Sequence, residues 1–205
     1  LETLAAAGVC VDGPGAAELV VCGHSFGGKV ALAVLHALLE RGAPPKKTWL
    51  FDSVPGTPAR LSEEVSRAEQ SVDFVLRVVE SAAAQGAYPD RAALVQALEK
   101  EHGLSKALAG WVAQSVRYVP DGVELSYDVA TVRELYDAYQ RTDFWHLLEG
   151  GHADVGVVVA GRNRHAWGDE NIRKLNDVRH GRLHRAMLDN AGHNVHVDDL
   201  PGLLD

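Results

Sequence analysis

Val20-Val21-Cys22-Gly23-His24-Ser25-Phe26-Gly27-Gly28-Lys29-Val30 decides how this 205-residue chain is read. Leu19 to Cys22 is a short apolar run, as expected for a strand buried on both faces of a parallel sheet. Lys29 to Glu40 is apolar nearly all round, which predicts a largely buried helix. Between them lies Gly23-x-Ser25-x-Gly27. That pattern is common by chance and gains meaning only from its place between strand and helix. There it predicts a serine on a strained turn with its Oγ exposed. The glycines two before and two after are expected because side chains there would collide with the packed strand and helix. The backbone N–H of Phe26, at the helix N-terminus, would face an oxyanion formed at the serine. A plain glycine-rich turn of a nucleotide-binding fold is the competing reading. Neither G-x-G-x-x-G nor a Walker pattern fits these residues, so the serine elbow is preferred.

Outward from this turn the chain falls into three parts. Residues 1–55 run helix, strand, helix, strand: an alanine-rich Leu4 to Val9, the turn-former Asp12-Gly13-Pro14-Gly15, the elbow unit, and a strand over Thr48 to Phe51. Gly42 and Pro44-Pro45 end the elbow helix. The rhythm is that of a βαβ unit, hence an α/β fold with a mostly parallel sheet. Residues 56–148 read as mainly helical, as a lid inserted between strands would. Val65, Ala68, Val72, Val75, Leu76 and Val79 follow helical spacing after a start at Ser62-Glu63-Glu64. Asp90 caps a second helix and Ser105 a third, the latter with Leu108, Trp111, Val112 and Val116 on one face. Val132, Leu135, Tyr136 and Tyr139 mark a fourth. Core packing explains these stripes as well as a lid does. Residues 149–205 return to strand and loop, with strands at Val155 to Ala160 and Leu183 to Leu188 and a helix over Asp169 to Asp177.

A nucleophilic serine needs a base, and the base needs a group that orients it. Of ten histidines, His193 and His196 follow the last expected strand. His193, after glycine in the loop Asp189-Asn190-Ala191-Gly192-His193, is the preferred base, and His196 is expected to support the loop. His180 and His184 stand four apart with Gly181 between them and no carboxylate motif, so no metal site is expected. Three acids remain open. Asp52 ends the strand after the elbow's own βα unit and ranks first. Asp169 follows the Val155 to Ala160 strand but lies eight residues past Gly161, where it serves equally as a helix N-cap. Asp128, in the lid region, ranks third.

Composition sets outer limits. The net charge of −8 argues against a phosphate backbone or an anionic membrane surface as the main partner. The two cysteines, Cys10 and Cys22, lack C-x-x-C spacing, so free thiols in a reducing, intracellular setting are expected. The apolar run Val30 to Leu35 is far short of the ~20 residues that span a bilayer. No secretory signal opens the chain.

Taken together, Gly23-His24-Ser25-Phe26-Gly27-Gly28-Lys29-Val30, Phe51-Asp52-Ser53-Val54-Pro55-Gly56 and Ala191-Gly192-His193-Asn194-Val195-His196 make the chain resemble the α/β-hydrolase family. The resemblance is to small carboxylesterases of bacteria and their mitochondrial and plant relatives; Trp111-Val112 and Tyr136 fit the plant-like lid. It implies hydrolysis of an acyl ester or thioester by Ser25, His193 and an acid, with no cofactor. It favours Asp52 as that acid, since Asn163 stands where other branches carry an aspartate. Family members have several strands and an oxyanion loop before the elbow, whereas 24 residues precede Ser25 and twelve follow His193. The expectation is therefore the C-terminal part of a longer hydrolase. The other functions left open are a non-catalytic small-molecule binder of the same fold, acyl transfer, and cofactor-free haloperoxidase chemistry. Trp111, Tyr118, Tyr136, Tyr139, Phe144 and Trp145 suggest a moderately hydrophobic acyl group if they line a pocket.

Overall fold

A computed structural model describes residues 1–9, 11, 18–58 and 72–205. Cys10, the Asp12-Gly13-Pro14-Gly15 turn and the expected helix start at Ser62 with Val65 and Ala68 lie outside them. The chain divides into two compact units, Leu1–Ala59 with Tyr139–Asp205, and Arg60–Ala138.

The first unit is built on a parallel sheet of β1 (Val20–His24), β2 (Lys47–Phe51), β5 (Val155–Ala160) and β6 (Leu183–Leu188), in the order β1-β2-β5-β6. Parallel neighbours need crossovers, and α2 (Phe26–Glu40) supplies the first. Its Leu32, Leu35 and Leu38 are fully buried, because three–four spacing aims all three at one side. The β-branched run of β5 is buried at all six residues, as suits a strand with neighbours on both edges and cover on both faces. Trp49 of β2 lies across Gly156 of β5, where a Cβ would come within 2.1 Å of the indole. Glycine at 156 is thus the space the Trp49 ring occupies.

β1 departs from expectation. Val20 and Cys22 are exposed, and among the described residues β1 pairs only with β2, so it stands at an edge instead of inside the sheet. The apolar composition of a short strand does not reveal whether it has one neighbour or two.

After β2 the chain passes Pro55 to Thr57 and returns through Asp143 to Trp145 into α7 (Trp145–Glu149). Phe144 N–H to Pro55 O, 2.9 Å, ties the two passages, and Asn171 Nδ2 donates to Thr57 O at 3.0 Å. Trp145 is buried in the core with Leu50, Val157, Trp167 and Leu175. α8 (Arg164–Asp177) follows β5 and is kinked at Gly168, whose φ of 70° interrupts it. Regular helix resumes at Asp169, where the sequence placed its start. Arg185 donates to Leu175 O and Val178 O, closing the end of α8. Beyond β6 come α9 (Val195–Asp198) and α10 (Leu200–Leu204); α1 (Glu2–Ala6) opens the chain.

The second unit holds α3 (Val72–Ala84), α4 (Arg91–Lys100), α5 (Lys106–Val112), a hairpin of β3 (Val116–Val119) and β4 (Gly122–Leu125), and most of α6 (Val129–Arg141). Asp90 accepts from Ala93 N–H at 2.8 Å and Ser105 from Leu108 N–H at 3.3 Å, the two N-caps expected. Val78, Val79, Leu94, Leu98, Ala109 and Val112 form its core. Arg133 joins α6 to α3 through Asp73 and a two-pronged contact with Glu80.

Apart from the hairpin, the described residues between 72 and 148 are mainly helical. The hairpin corrects one expectation: Val116 is strand instead of a fourth position on the α5 stripe. The deciding signal is Val119-Pro120-Asp121-Gly122, a turn former between two short β-branched runs. Gly122 takes a φ of 132°, and a Cβ there would sit 1.9 Å from Tyr88 O. Other apolar positions also stay outside the core: Trp111 is exposed, and of α6 only Val129 is buried. No helix among the described residues is long and apolar enough to cross a membrane.

Candidate active site

Four polar side chains of the first unit emerge at the carboxyl ends of its strands, the edge where open α/β sheets place ligands. Ser25 follows β1, Asp52 follows β2, Asn163 lies three residues past β5, and His193 five past β6.

Ser25 has φ 54° and ψ −123°, a conformation that non-glycine residues rarely adopt. Three contacts hold it there: Ser25 N–H to Phe51 O at 3.0 Å, Gly28 N–H to Ser25 O at 3.0 Å, and close passage of Gly23 under the first helical turn. A Cβ on Gly23 would lie 2.1 Å from Gly27 O, and one on Gly28 would lie 2.3 Å from the Ser53 side chain. A Cβ on Gly27 would meet nothing within 4 Å. The expectation of a collision at the second motif glycine is therefore wrong; the crowded positions are Gly23 and Gly28. Phe26 is the first residue of α2, so its N–H has no acceptor within the helix and opens beside Ser25.

Ser25 Oγ stands 2.9 Å from His193 Nε2, and His193 Nδ1 stands 2.7 Å from Asp52 Oδ2. Asp52 is also strained, with φ 43°, and is pinned by its own N–H to Val158 O at 2.8 Å. Its carboxylate is fully buried and receives four donors. Oδ1 accepts from Ala160 N–H (3.1 Å) and Trp167 Nε1–H (2.9 Å), Oδ2 from Asn163 Nδ2–H (2.7 Å) and His193 Nδ1–H. Four donors fill the four lone-pair sites of a carboxylate. Burial alone would raise its pKa, but hydrogen bonds from His193, Asn163, Trp167 and Ala160 outweigh burial and hold the carboxyl below its ordinary value. An ionised, immobile acceptor results.

The His193 loop is braced by Ala191 N–H to Leu188 O, Arg162 N–H to Ala191 O and Gly192 N–H to Asp198 Oδ2. Ala191 and Val195 are wholly buried beneath it with Ala160. The other candidates have different partners. Asp169 is exposed and pairs with Arg164 at 3.2 Å, while Asp52 holds the position against His193. Asp128 accepts from Ala130 N–H and Thr131 Oγ1–H at the start of α6. His196 packs edge-on against His24 with ring centroids 5.3 Å apart. His180 Nε2 lies 2.6 Å from Leu148 O, and His184 lies 3.8 Å from Asp154. No group of three or more His, Cys, Asp or Glu among the described residues could hold a metal ion.

Asn163, Trp167 and His24 were not singled out from the sequence as parts of the site. Asn163 was noted only for not being aspartate. A tryptophan seven residues past a strand end carries no such signal, because its relation to Asp52 depends on how α8 packs.

Searching solved structures returns a consistent set. The chain aligns with a marine microorganism esterase (TM-score 0.66, 14% identity, covering 99% of this chain and 70% of that one). It aligns with the thioesterase domain from a curacin biosynthetic pathway (0.54, 19%, 92% and 65%). It also aligns with an N-formylmaleamic acid deformylase of Pseudomonas putida S16 (0.58, 14%, 90% and 64%). This chain has the α/β-hydrolase fold. Within that fold it spans about two thirds of the length of these structures. No protein-family model matches the chain, and no curated protein matches it in sequence.

Proposed function

We propose that the chain is a serine hydrolase that cleaves carboxylic esters or thioesters through an acyl-enzyme on Ser25, in the manner of small carboxylesterases. The observation that carries this is the continuous relay Ser25 Oγ–His193–Asp52, at 2.9 and 2.7 Å, ending on a saturated buried carboxylate. The substrate carbonyl is attacked by Ser25 Oγ while the hydroxyl proton passes to His193 Nε2. Asp52 keeps the proton on Nδ1 in the resting imidazole and stabilises the imidazolium that forms. The Phe26 N–H meets the developing oxyanion. Collapse of the tetrahedral adduct expels an alkoxide or thiolate, which takes the proton from Nε2. Water then enters, gives a proton to His193 and attacks the acyl group; Ser25 recovers its hydrogen and the acid leaves.

The exposed Phe26 ring, with Tyr139 5.8 Å away, offers an aromatic surface beside Ser25 and favours a moderately hydrophobic acyl group. Trp145, one of the aromatics considered for that role, is core instead. The fold's use by an esterase and a thioesterase is consistent with either leaving group.

Short-chain p-nitrophenyl esters and the matching acyl thioesters test the proposal. The chain is expected to release product with a burst of one equivalent. Ser25→Ala is expected to fall by about 10⁶ in kcat. Turnover that persists in Ser25→Ala would refute it.

A further inference from the structure

His24, the residue before the nucleophile, is not accounted for by the relay. Its Nε2 lies 2.7 Å from the backbone carbonyl of His193, so Nε2–H donates to the base's own main chain. Its ring sits 4.6 Å from the His193 ring and is covered on another side by His196.

We propose that His24 is a positioning residue: it fixes the backbone of His193 while Ser25 and Asp52 engage the two ring nitrogens. This rests on the assignment of Ser25 as nucleophile and His193 as base. The base is then held at three points, Nδ1, Nε2 and its carbonyl. All three partners stand at the ends of β1 and β2, the adjacent strands that carry the nucleophile and the acid. That matters because His193 sits in a loop whose side chain is nearly half exposed, and its ring must keep one orientation through two proton transfers.

The geometry also defines what His24 does not do. With its Nε2–H committed to a carbonyl, that nitrogen has no lone pair to offer and cannot take the Ser25 proton. The groups facing it are His193, His196 and Asp52. Burial lowers its pKa from the ordinary histidine value, and the neighbouring His193 and His196 act in the same direction, against the His193 carbonyl and Asp52. Burial and the neighbouring rings thus disfavour a second positive charge on His24, 4.6 Å from the His193 ring.

The test is the rate at which a fluorophosphonate modifies Ser25, followed across about pH 5 to 9, the window of histidine titration. It is measured in the parent chain, His24→Gln and His24→Phe. Gln can carry an amide N–H to the Nε2 position; Phe keeps the ring and loses the donor. His24→Phe is expected to react about 100-fold more slowly, the scale of a 1 Å misplacement, with a rate–pH profile displaced from the parent's. His24→Gln is expected to keep most of the parent rate and the parent midpoint. If His24→Phe matches the parent in rate and midpoint, or if both variants lose alike, the inference is overturned while Ser25 stands as nucleophile. A parent chain that forms no adduct at Ser25 overturns both.

Discussion

Asp52 joins a buried charge, a left-handed backbone and four donors in one residue, and each has a measurable consequence. Asp52→Asn preserves shape but allows the wrong imidazole tautomer, so kcat is expected to fall by about 10⁴ with little change in KM. Trp167→Phe and Asn163→Ala each remove one donor. Each is expected to cost about tenfold, the scale of a single hydrogen bond to a charged group. The same residue sets an acid limit. Because its folded pKa lies below the unfolded value of about 3.9, Asp52 contributes stability that is fully present above that pH. That contribution disappears as pH falls through the folded value. Denaturant unfolding at about pH 7 and pH 3 should thus show a smaller loss in Asp52→Asn than in the parent chain. The G-x-S-x-G turn, the aspartate ending the next strand and the histidine in the loop past the last strand were legible in the sequence, and the structure brings Ser25, Asp52 and His193 together. The donors around Asp52 were not, since Trp167 lies on α8 and meets Asp52 only through the packing of that helix.

At the scale of elements, the glycines of the elbow separate from the motif that names them. Gly27→Ala is expected to be tolerated or slightly stabilising, by about 0.4–1 kcal/mol, because space is open and alanine restricts the unfolded chain. Gly23→Ala and Gly28→Ala, each meeting atoms within 2.3 Å, are expected to lower stability and slow Ser25 acylation. Thermal melts with the fluorophosphonate rate would show the contrast. Lys29 ties α2 to the end of α6. Its Nζ donates to Tyr139 O and to Thr142 O and lies over the Tyr139 ring, and burial lowers its pKa to about 8 against a smaller pull from Asp143. Caps and periodicity made α4 and α5 legible, and an apolar run stopped by Gly42 and Pro44-Pro45 made α2 legible. The β3–β4 hairpin escaped because each strand is four residues long and Val116 continues the helical spacing of Leu108 and Val112.

For the molecule as a whole, the parallel order β1-β2-β5-β6 brings four chain-distant segments to one edge, and that topology was implicit in strand–helix alternation. The edge position of β1 was not, because sheet order is a property of partners and not of a strand's own residues. Each unit has its own hydrophobic core, so Leu98→Ala is expected to cost about 2–5 kcal/mol and to raise amide exchange first in α4, α5 and the hairpin. Uniform loss of protection across β5 and α4 would contradict that independence. Across all scales the central claim is that Ser25 is an activated nucleophile. The most direct measurement is intact-mass analysis with peptide mapping after fluorophosphonate treatment. One adduct is predicted, on Ser25, absent in Ser25→Ala and formed at least about 10³-fold more slowly in His193→Ala. No adduct, or one that persists in Ser25→Ala, would contradict the claim.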